Sequence, residues 1–152
     1  MATSNREMVL KPKIGIDNIK FGMTEKEVIS ILGKPDRRYL EEDTDDNEIV
    51  LEWKNRLLRL TFYQDKNKRF GYLRTRNKNL VFEEKKIIDQ PLKLVQKEIF
   101  KKTKNWEKDD YNFQTVYFDE ENWLALNCEY DLVLELEMGV PFKNDSDYDW
   151  PK

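Results

Sequence analysis

The side chains best suited to chemistry in this chain are two groups of carboxylates. Six of the eight residues from Glu41 to Glu48 are acidic, and residues 119–121 form a second acidic group at a predicted turn. Neither group has apolar neighbours that would form a pocket and raise a carboxyl pKa for acid–base work. The chain has no histidine, the commonest general base and a usual zinc ligand. These features predict a protein that is not an enzyme, with no catalytic residue, no metal site and no cofactor.

Carboxylates of this kind suit a basic protein partner instead. Complementary charge steers encounter, and aromatic side chains nearby supply buried contact area. Residues 107–137 carry ten acidic side chains and one lysine, which makes the second half of the chain a further acidic surface. The predicted partner-binding residues are Glu41, Glu42, Asp43, Asp45, Asp46, Glu48, Asp119, Glu120, Glu121 and Trp123. The alternative is that these charges only keep a small domain soluble.

Residues 49–80 have the opposite charge, with nine Lys or Arg side chains against Glu52 and Asp65. One interpretation is a nucleic-acid platform in which cations stand beside stacking rings. The residues concerned are Lys54, Arg56, Arg59, Arg69, Arg74 and Arg76, with Tyr63, Phe70 and Tyr72. A sequence pI near 5.3 argues against it, because nucleic-acid-binding domains are usually basic. The other interpretation is a solvated sheet face, or ion pairs with the acidic second half.

The first element with clear boundary signals is a helix that starts after Thr24. Thr24 and Glu27 form a capping-box pattern, Met23 and Val28 are spaced as a hydrophobic staple, and Gly33 with Pro35 predicts the helix end. From residue 49 the apolar period changes to two, which indicates antiparallel strands joined by turns near residues 54–55 and 66–67. The same alternation returns in residues 115–138 and places Glu135 and Glu137 on its solvent side.

These patterns occur twice, about 65 residues apart. The spacing predicts an α+β fold of two tandem modules, each a helix packed on one side of an antiparallel sheet. The predicted segments are a flexible N-terminus (1–13), a first module (14–80), a second module (81–142) and an acidic aromatic tail (143–152). The tail is expected to be a frayed end or a small binding element. Residues 89–100 are expected to form the second helix, with Leu92, Val95 and Ile99 on one face.

Residues 21–35 resemble the signature helix of the small lipoprotein in the outer-membrane β-barrel assembly machine. The shared features are Gly22-Met23-Thr24, Val28, and the Leu-Gly-x-Pro ending at Pro35. A helix followed by an antiparallel sheet also occurs twice in β-lactamase inhibitory protein, which is similar in length and layout. Many bacterial immunity proteins are similar in size, acidity and this opening motif.

This resemblance implies an immunity-type protein that neutralises a cognate bacterial toxin domain, a basic nuclease in the first instance, by stoichiometric binding. The alternative it implies is an envelope-assembly or other protein-binding module of the lipoprotein class. That alternative needs a signal peptide and a lipid-bearing cysteine near the start, whereas Cys128 is the only cysteine. The opening residues 1–7 are polar and lack the apolar stretch of a secretory signal, and no apolar run is long enough to span a membrane. A cytoplasmic location is therefore expected.

Overall fold

The computed structural model describes residues 6–41 and 47–152. Its elements in chain order are β1 (Met8–Lys11), β2 (Gly15–Ile16), β3 (Ile19–Lys20), α1 (Glu25–Leu32), β4 (Arg37–Glu41), β5 (Glu48–Trp53), β6 (Leu58–Tyr63), β7 (Arg69–Thr75), β8 (Leu80–Phe82), β9 (Lys85–Lys86), α2 (Leu92–Leu94), β10 (Glu107–Asp110), β11 (Thr115–Asp119), β12 (Leu124–Glu129) and β13 (Leu132–Gly139).

Eight of these strands form one antiparallel sheet in the order β10-β11-β12-β13-β7-β6-β5-β4. Each half of the chain contributes a four-stranded meander, and the halves join where β13 pairs antiparallel with β7. The hairpin turns predicted near residues 54–55 and 66–67 are present, and in each the chain reverses through a left-handed residue, Leu57 and Asn67. The predicted period-two segments are therefore confirmed as strands.

A second sheet of five short strands has the order β3-β2-β1-β8-β9. Its two halves meet where β1 pairs parallel with β8, which comes from about 70 residues later in the chain. One hydrophobic core cluster contains side chains of both sheets and of the helical segments. Leu51, Leu60 and Leu73 on the large sheet are fully buried in it, as is Val28 of α1. Burial of such side chains is the main source of stability.

The α+β class predicted from the sequence is wrong. Thirteen strands in two sheets and two short helices make up the regular structure of the described residues. Helix α1 has the predicted capping box, with the Glu27 amide donating to Thr24 Oγ1 and the Thr24 amide to Glu27 Oε1. The second helix is much weaker than expected, since α2 is three residues long and continues only as a π-helical turn, Val95–Ile99. The fold is β-rich.

The two halves nevertheless share one element order. A two-stranded hairpin, a helical segment and a four-stranded meander occupy residues 15–75, and the same series follows in residues 80–139. Both meanders have a register irregularity in their third strand, at Thr61/Phe62 and Asn127/Cys128. These irregularities lie 66 residues apart, close to the spacing read from the sequence.

The two ends of the chain also differ from expectation. Residues 8–11, placed by the sequence in a flexible N-terminus, form β1 and bury Met8 and Leu10. Within the acidic aromatic tail, Tyr148 and Trp150 pack against the core. In the described residues, no helix has the length and apolar character needed to cross a membrane.

Candidate functional site

One side of the large sheet packs on the hydrophobic core. The opposite side carries most of the polar side chains of the strands. Cross-strand pairing aligns one row on this surface, running Arg37, Glu52, Arg59, Arg74 and Glu137 from β4 to β13. We call this surface, formed by that row and its neighbours on the same side of β4–β7, β12 and β13, the polar face. Directly opposed residues in antiparallel strands share a side of the sheet, so the register fixes which groups can meet.

The centre of the polar face is a network of charges that joins the two halves of the chain. The Glu137 carboxylate accepts hydrogen bonds from Tyr72 Oη at 2.7 Å and Asn127 Nδ2 at 2.6 Å, and Arg74 Nη2 lies 3.0 Å away. Glu135 accepts from Asn127 Nδ2 at 2.8 Å and faces Arg74 Nε at 3.5 Å. These contacts link β7 to β12 and β13.

Burial and charge act in opposite directions on this network. Burial by itself would raise the pKa of Glu137, but hydrogen bonds from Asn127 and Tyr72 and the charge of Arg74 outweigh it and lower that pKa below its usual value. Burial also raises the pKa of Tyr72, and the neighbouring Glu137 carboxylate raises it further. Tyr72 therefore remains a neutral hydrogen-bond donor, and Glu137 remains an anion at neutral pH.

A second group of charges lies on the outer strands of the same face. Glu52 Oε1 is 3.1 Å from Arg59 Nη2 and accepts a hydrogen bond from Tyr39 Oη at 3.0 Å. Arg37 is 3.8 Å from Glu52 and stacks over the Tyr39 ring. Burial and the bond to Glu52 raise the pKa of Tyr39. Arg59 and Arg74 are therefore each accompanied by at least one carboxylate.

A cleft of about 260 Å³ opens on the polar face between these charges and the β11–β12 turn. Its aromatic walls are Tyr63, Tyr72 and Trp123. Trp123 has a left-handed backbone conformation (φ 50°), which is rare for a bulky residue. Such a conformation persists only where the surrounding structure holds the residue in place. The full lining is Glu41, Glu48, Val50, Arg59, Thr61, Tyr63, Tyr72, Arg74, Trp123 and Glu137. We call this cavity the aromatic cleft.

The C-terminal segment extends the aromatic wall. Tyr148 stacks on Tyr63 with ring centres 5.2 Å apart and on Phe142 at 4.7 Å, and Phe142 meets the edge of Trp123 at 5.2 Å. Trp150 lies under the Arg69 guanidinium at 5.3 Å. Contacts of this kind contribute about 0.5–1.5 kcal/mol each beyond burial. The segment thus supports two rings of the cleft, Tyr63 and Trp123, and is not a frayed end.

The structure brings three of the predicted partner-binding residues together. The aromatic cleft is lined by Glu41, Glu48 and Trp123. In the sequence, the two glutamates belong to the first acidic group, whereas Trp123 follows the second. Glu120 and Glu121 are exposed on the turn before Trp123 and line a neighbouring, open cavity that also includes Trp123. The remaining predicted residues of the first acidic group, Glu42, Asp43, Asp45 and Asp46, lie outside the described residues.

Asp119 is a correction. Its side chain is 3% exposed and accepts hydrogen bonds from Thr103 Oγ1 and Asn122 Nδ2, both at 2.7 Å, and from the Glu121 amide at 3.1 Å. A carboxylate buried and satisfied in this way holds the turn that presents Trp123, so the structure gives it an internal role in place of the exposed one that was predicted.

Two other expectations change in the structure. Phe70, grouped with a possible nucleic-acid platform, is fully buried in the core. Arg74 and Arg76 form ion pairs with Glu135 and Glu137, as the alternative interpretation of the basic segment expected. Glu135 is not solvated, since it is 8% exposed beneath these arginines. Pairing with carboxylates makes these cations poor phosphate ligands.

Tyr63, Tyr72 and Glu137, which line the aromatic cleft with Trp123, were not predicted from the sequence as members of one site. The signal was present in the alternation, which puts Tyr72 and Arg74 on one side of β7 and Glu137 on the same side of β13. What the alternation could not show is that β7 and β13 are neighbours. Cys128 is buried, and burial with the nearby Asp131 charge raises the pKa of its thiol to about 11, so it has a structural role.

Comparisons of the chain with protein-family models, with curated proteins and with solved structures found no match.

Proposed function

We propose that this protein is a cytoplasmic immunity-type inhibitor that binds a bacterial toxin domain one to one, without chemistry of its own. A basic nuclease domain is the first candidate for the partner, and the polar face with its aromatic cleft is the proposed contact surface. The observation that carries the proposal is the concentration of Trp123, Tyr63, Tyr72 and arginine side chains in one cleft. Tryptophan, tyrosine and arginine are the residue types that dominate binding energy at protein interfaces.

The acidic border of the cleft supports a basic partner. Glu41 and Glu48, at paired positions of β4 and β5, both line the cleft. Acidic groups beside an aromatic anchor steer a cationic surface toward it, and they can occupy the place of nucleic-acid phosphates in a nuclease. The resemblance of residues 21–35 to the opening motif of immunity proteins points to the same class.

Co-expression tests the proposal directly. The toxin to be tested is the C-terminal domain of any large secreted protein found to be encoded immediately upstream. The expected result is survival of cells that co-express both proteins and a one-to-one complex on co-purification. Trp123→Ala should weaken the complex by about 2 kcal/mol, roughly thirtyfold, because it removes the central aromatic anchor. Its matched control is Tyr130→Ala, since Tyr130 is 95% exposed on the β12–β13 turn.

Electrostatic steering gives a second measurement. Glu48→Lys should slow association and reduce its dependence on salt, whereas Glu129→Lys, at an exposed position, should change neither by comparable amounts. Unprotected cells together with no complex on co-purification would reject the function. Full binding by Trp123→Ala would reject the cleft as the contact surface.

A further inference from the structure

One edge of the large sheet is a short strand whose outer side is open. Within the described part of the chain, β10 ends the strand order, and all four of its residues are exposed. Tyr111 and Gln114 exchange the backbone hydrogen bonds that close the β10–β11 hairpin. Bonded and non-bonded pairs alternate along an antiparallel ladder, so Asp109 bonds to β11 whereas the backbone groups of Lys108 and Asp110 point outward. This edge offers two N–H donors and two carbonyl acceptors to a further strand.

The side chains of β10 give this edge a negative charge. Three of the four are acidic, and Lys108 is the exception. Glu107 and Asp109 are two residues apart, so both carboxylates lie on the same side of the sheet. Neither carboxylate forms an ion pair or a hydrogen bond with the described residues. Asp110 differs, because it accepts a hydrogen bond from the Thr115 hydroxyl at 3.0 Å.

Two exposed rings continue the edge beyond the end of β10. Tyr111 is 63% exposed and Phe113 is 85% exposed at the hairpin turn, so both can supply contact area to a partner. Cross-strand pairing joins Asp109 to Val116 and Val116 to Asn127, which puts the free carboxylates of β10 on the side of the sheet that carries the polar face. One partner can therefore contact the edge and the polar face together.

We propose that β10 takes up an extended basic segment of another protein as a ninth strand of the large sheet. Backbone hydrogen bonds to Lys108 and Asp110 provide the pairing. Lysine or arginine side chains at alternate positions of the segment face Glu107 and Asp109, since opposite charges at paired positions stabilise a sheet. The inference is independent of the immunity function, because it requires a basic extended segment and not a toxin.

A second copy of this chain matches the edge less well. Two β10 strands side by side would bring six carboxylates together, which is how charged edge strands prevent self-association. The opposite edge of the sheet, β4, carries Arg37 and Arg38. These arginines already lie 3.8 Å from Glu52 and 2.8 Å from Glu25, respectively. Charge complementarity therefore favours a basic strand from another protein.

The test measures amide hydrogen exchange by NMR on the whole isotope-labelled protein. The probe is a capped seven-residue peptide in which four lysines alternate with three valines. One control peptide has glutamate in place of lysine, and spermine supplies a similar positive charge without peptide groups. The lysine peptide should slow exchange of the Lys108 and Asp110 amides about tenfold and leave the Asp109 amide, already bonded to β11, nearly unchanged. Neither control should slow the two outward amides.

Two kinds of variant separate the backbone contact from the charge. Lys108→Pro removes one outward N–H and leaves the bonds to β11, a change that edge strands tolerate, and it should abolish the protection of Asp110. Glu107→Gln should weaken peptide binding about fivefold, while Glu129→Gln, at an exposed position of β12, should leave it unchanged. Thermal unfolding shows whether each variant folds. If Lys108→Pro does not fold, a peptide with proline in place of valine tests the same contact and should give no protection.

The other outcomes overturn the inference. No protection with the lysine peptide at up to about 1 mM would remove β10 as a docking strand. Equal protection by the glutamate peptide would exclude a preference for basic segments, and equal protection by spermine would show an effect of charge alone. Full peptide binding by Lys108→Pro would exclude strand addition. Protection of the same amides at high protein concentration without peptide, with a dimer in light scattering, would make a second copy the occupant. None of these results depends on whether the protein protects cells from a toxin.

Discussion

Replacing Glu137 by glutamine should remove the electrostatic centre of the polar face while keeping its shape. The Glu137 side chain is 13% exposed and has three partners within 3.0 Å, Tyr72, Asn127 and Arg74. Hydrogen bonds to a charged group contribute about 1.5–3 kcal/mol each, but glutamine keeps one acceptor oxygen and Arg74 keeps Glu135. Because Arg74 is 38% exposed, solvent screens part of the loss. We expect a loss of about 2 kcal/mol, and a midpoint of thermal unfolding about 4–8 °C lower.

The pH dependence identifies the cause of that loss. The folded protein holds the Glu137 pKa below its usual value of about 4.5, so at acid pH the unfolded state binds more protons. The stabilisation is therefore complete above the usual pKa and is lost as pH falls through the lower folded value. Urea unfolding followed by tryptophan fluorescence should show a large difference between wild type and Glu137→Gln at about pH 7, and a much smaller one at about pH 3.

The control is Glu129→Gln, an exposed carboxylate on the neighbouring strand β12, which should change stability by less than about 0.5 kcal/mol. A double-mutant cycle with Tyr72→Phe should give a coupling of about 1 kcal/mol, since the two side chains share a 2.7 Å hydrogen bond. A loss in Glu137→Gln that is equal at neutral and acid pH would refute the electrostatic reasoning and leave a packing defect as its cause.

Three further predictions concern the fold beneath the site. Phe62→Ala, at a fully buried ring, should lower the free energy of unfolding by about 3–5 kcal/mol, measured by urea unfolding. Thr24→Ala should cost about 1 kcal/mol through loss of the capping box, and Thr24→Ser should restore most of it in the same assay. Cys128, whose thiol pKa is raised to about 11, should react with a thiol reagent near pH 8 only after denaturation; fast labelling of the native protein would contradict its burial.

The sequence predicts those parts of the fold whose signals are local. Thr24, Glu27 and Gly33 mark the ends of α1 because capping depends only on neighbours within one helical turn. Strands β5–β7 and β11–β13 follow from apolar alternation, since each is long enough to show the period of two. Strands β4 and β10 are polar and mostly exposed, so the alternation did not predict them. The prediction of the second helix was wrong because the conformation of that segment is not set by local signals. Leu92 and Val95 have helical spacing, but the segment after them forms a π-helical turn that tertiary contacts stabilise.

The predicted fold class was wrong because the strands of the second sheet leave almost no recognisable pattern in the sequence. Strands β2, β3 and β9 are two residues long, too short for any periodicity to be recognised. The parallel pairing of β1 with β8 joins segments separated by most of the first half of the chain. Each hairpin looks like a loop until its distant partner is known, so a β-rich protein was predicted as α+β.

The same distinction holds for the site. Glu41 and Glu48 could be predicted because charge density is visible in the sequence, and Trp123 because a large aromatic residue follows an acidic turn. Their convergence on one cleft depends on β7 pairing with β13, which no local pattern encodes. Asp119 was predicted, like its neighbours, from the acidic run in the sequence. Its carboxylate is instead buried and hydrogen-bonded within the turn.

The charged network stabilises the same face that we propose as the contact surface. Tyr72 uses its hydroxyl to bind Glu137 and its ring to line the aromatic cleft, so one side chain belongs to both structures. The hydrogen bond to Glu137 holds the Tyr72 ring in place, and the absence of a side chain at Gly139 lets Trp123 pack beside that ring. Under the proposed function, a partner would meet rings that are already packed in place, which lowers the entropic cost of association. Because the network spans β7 and β13, the proposed binding surface requires both halves of the chain to be joined.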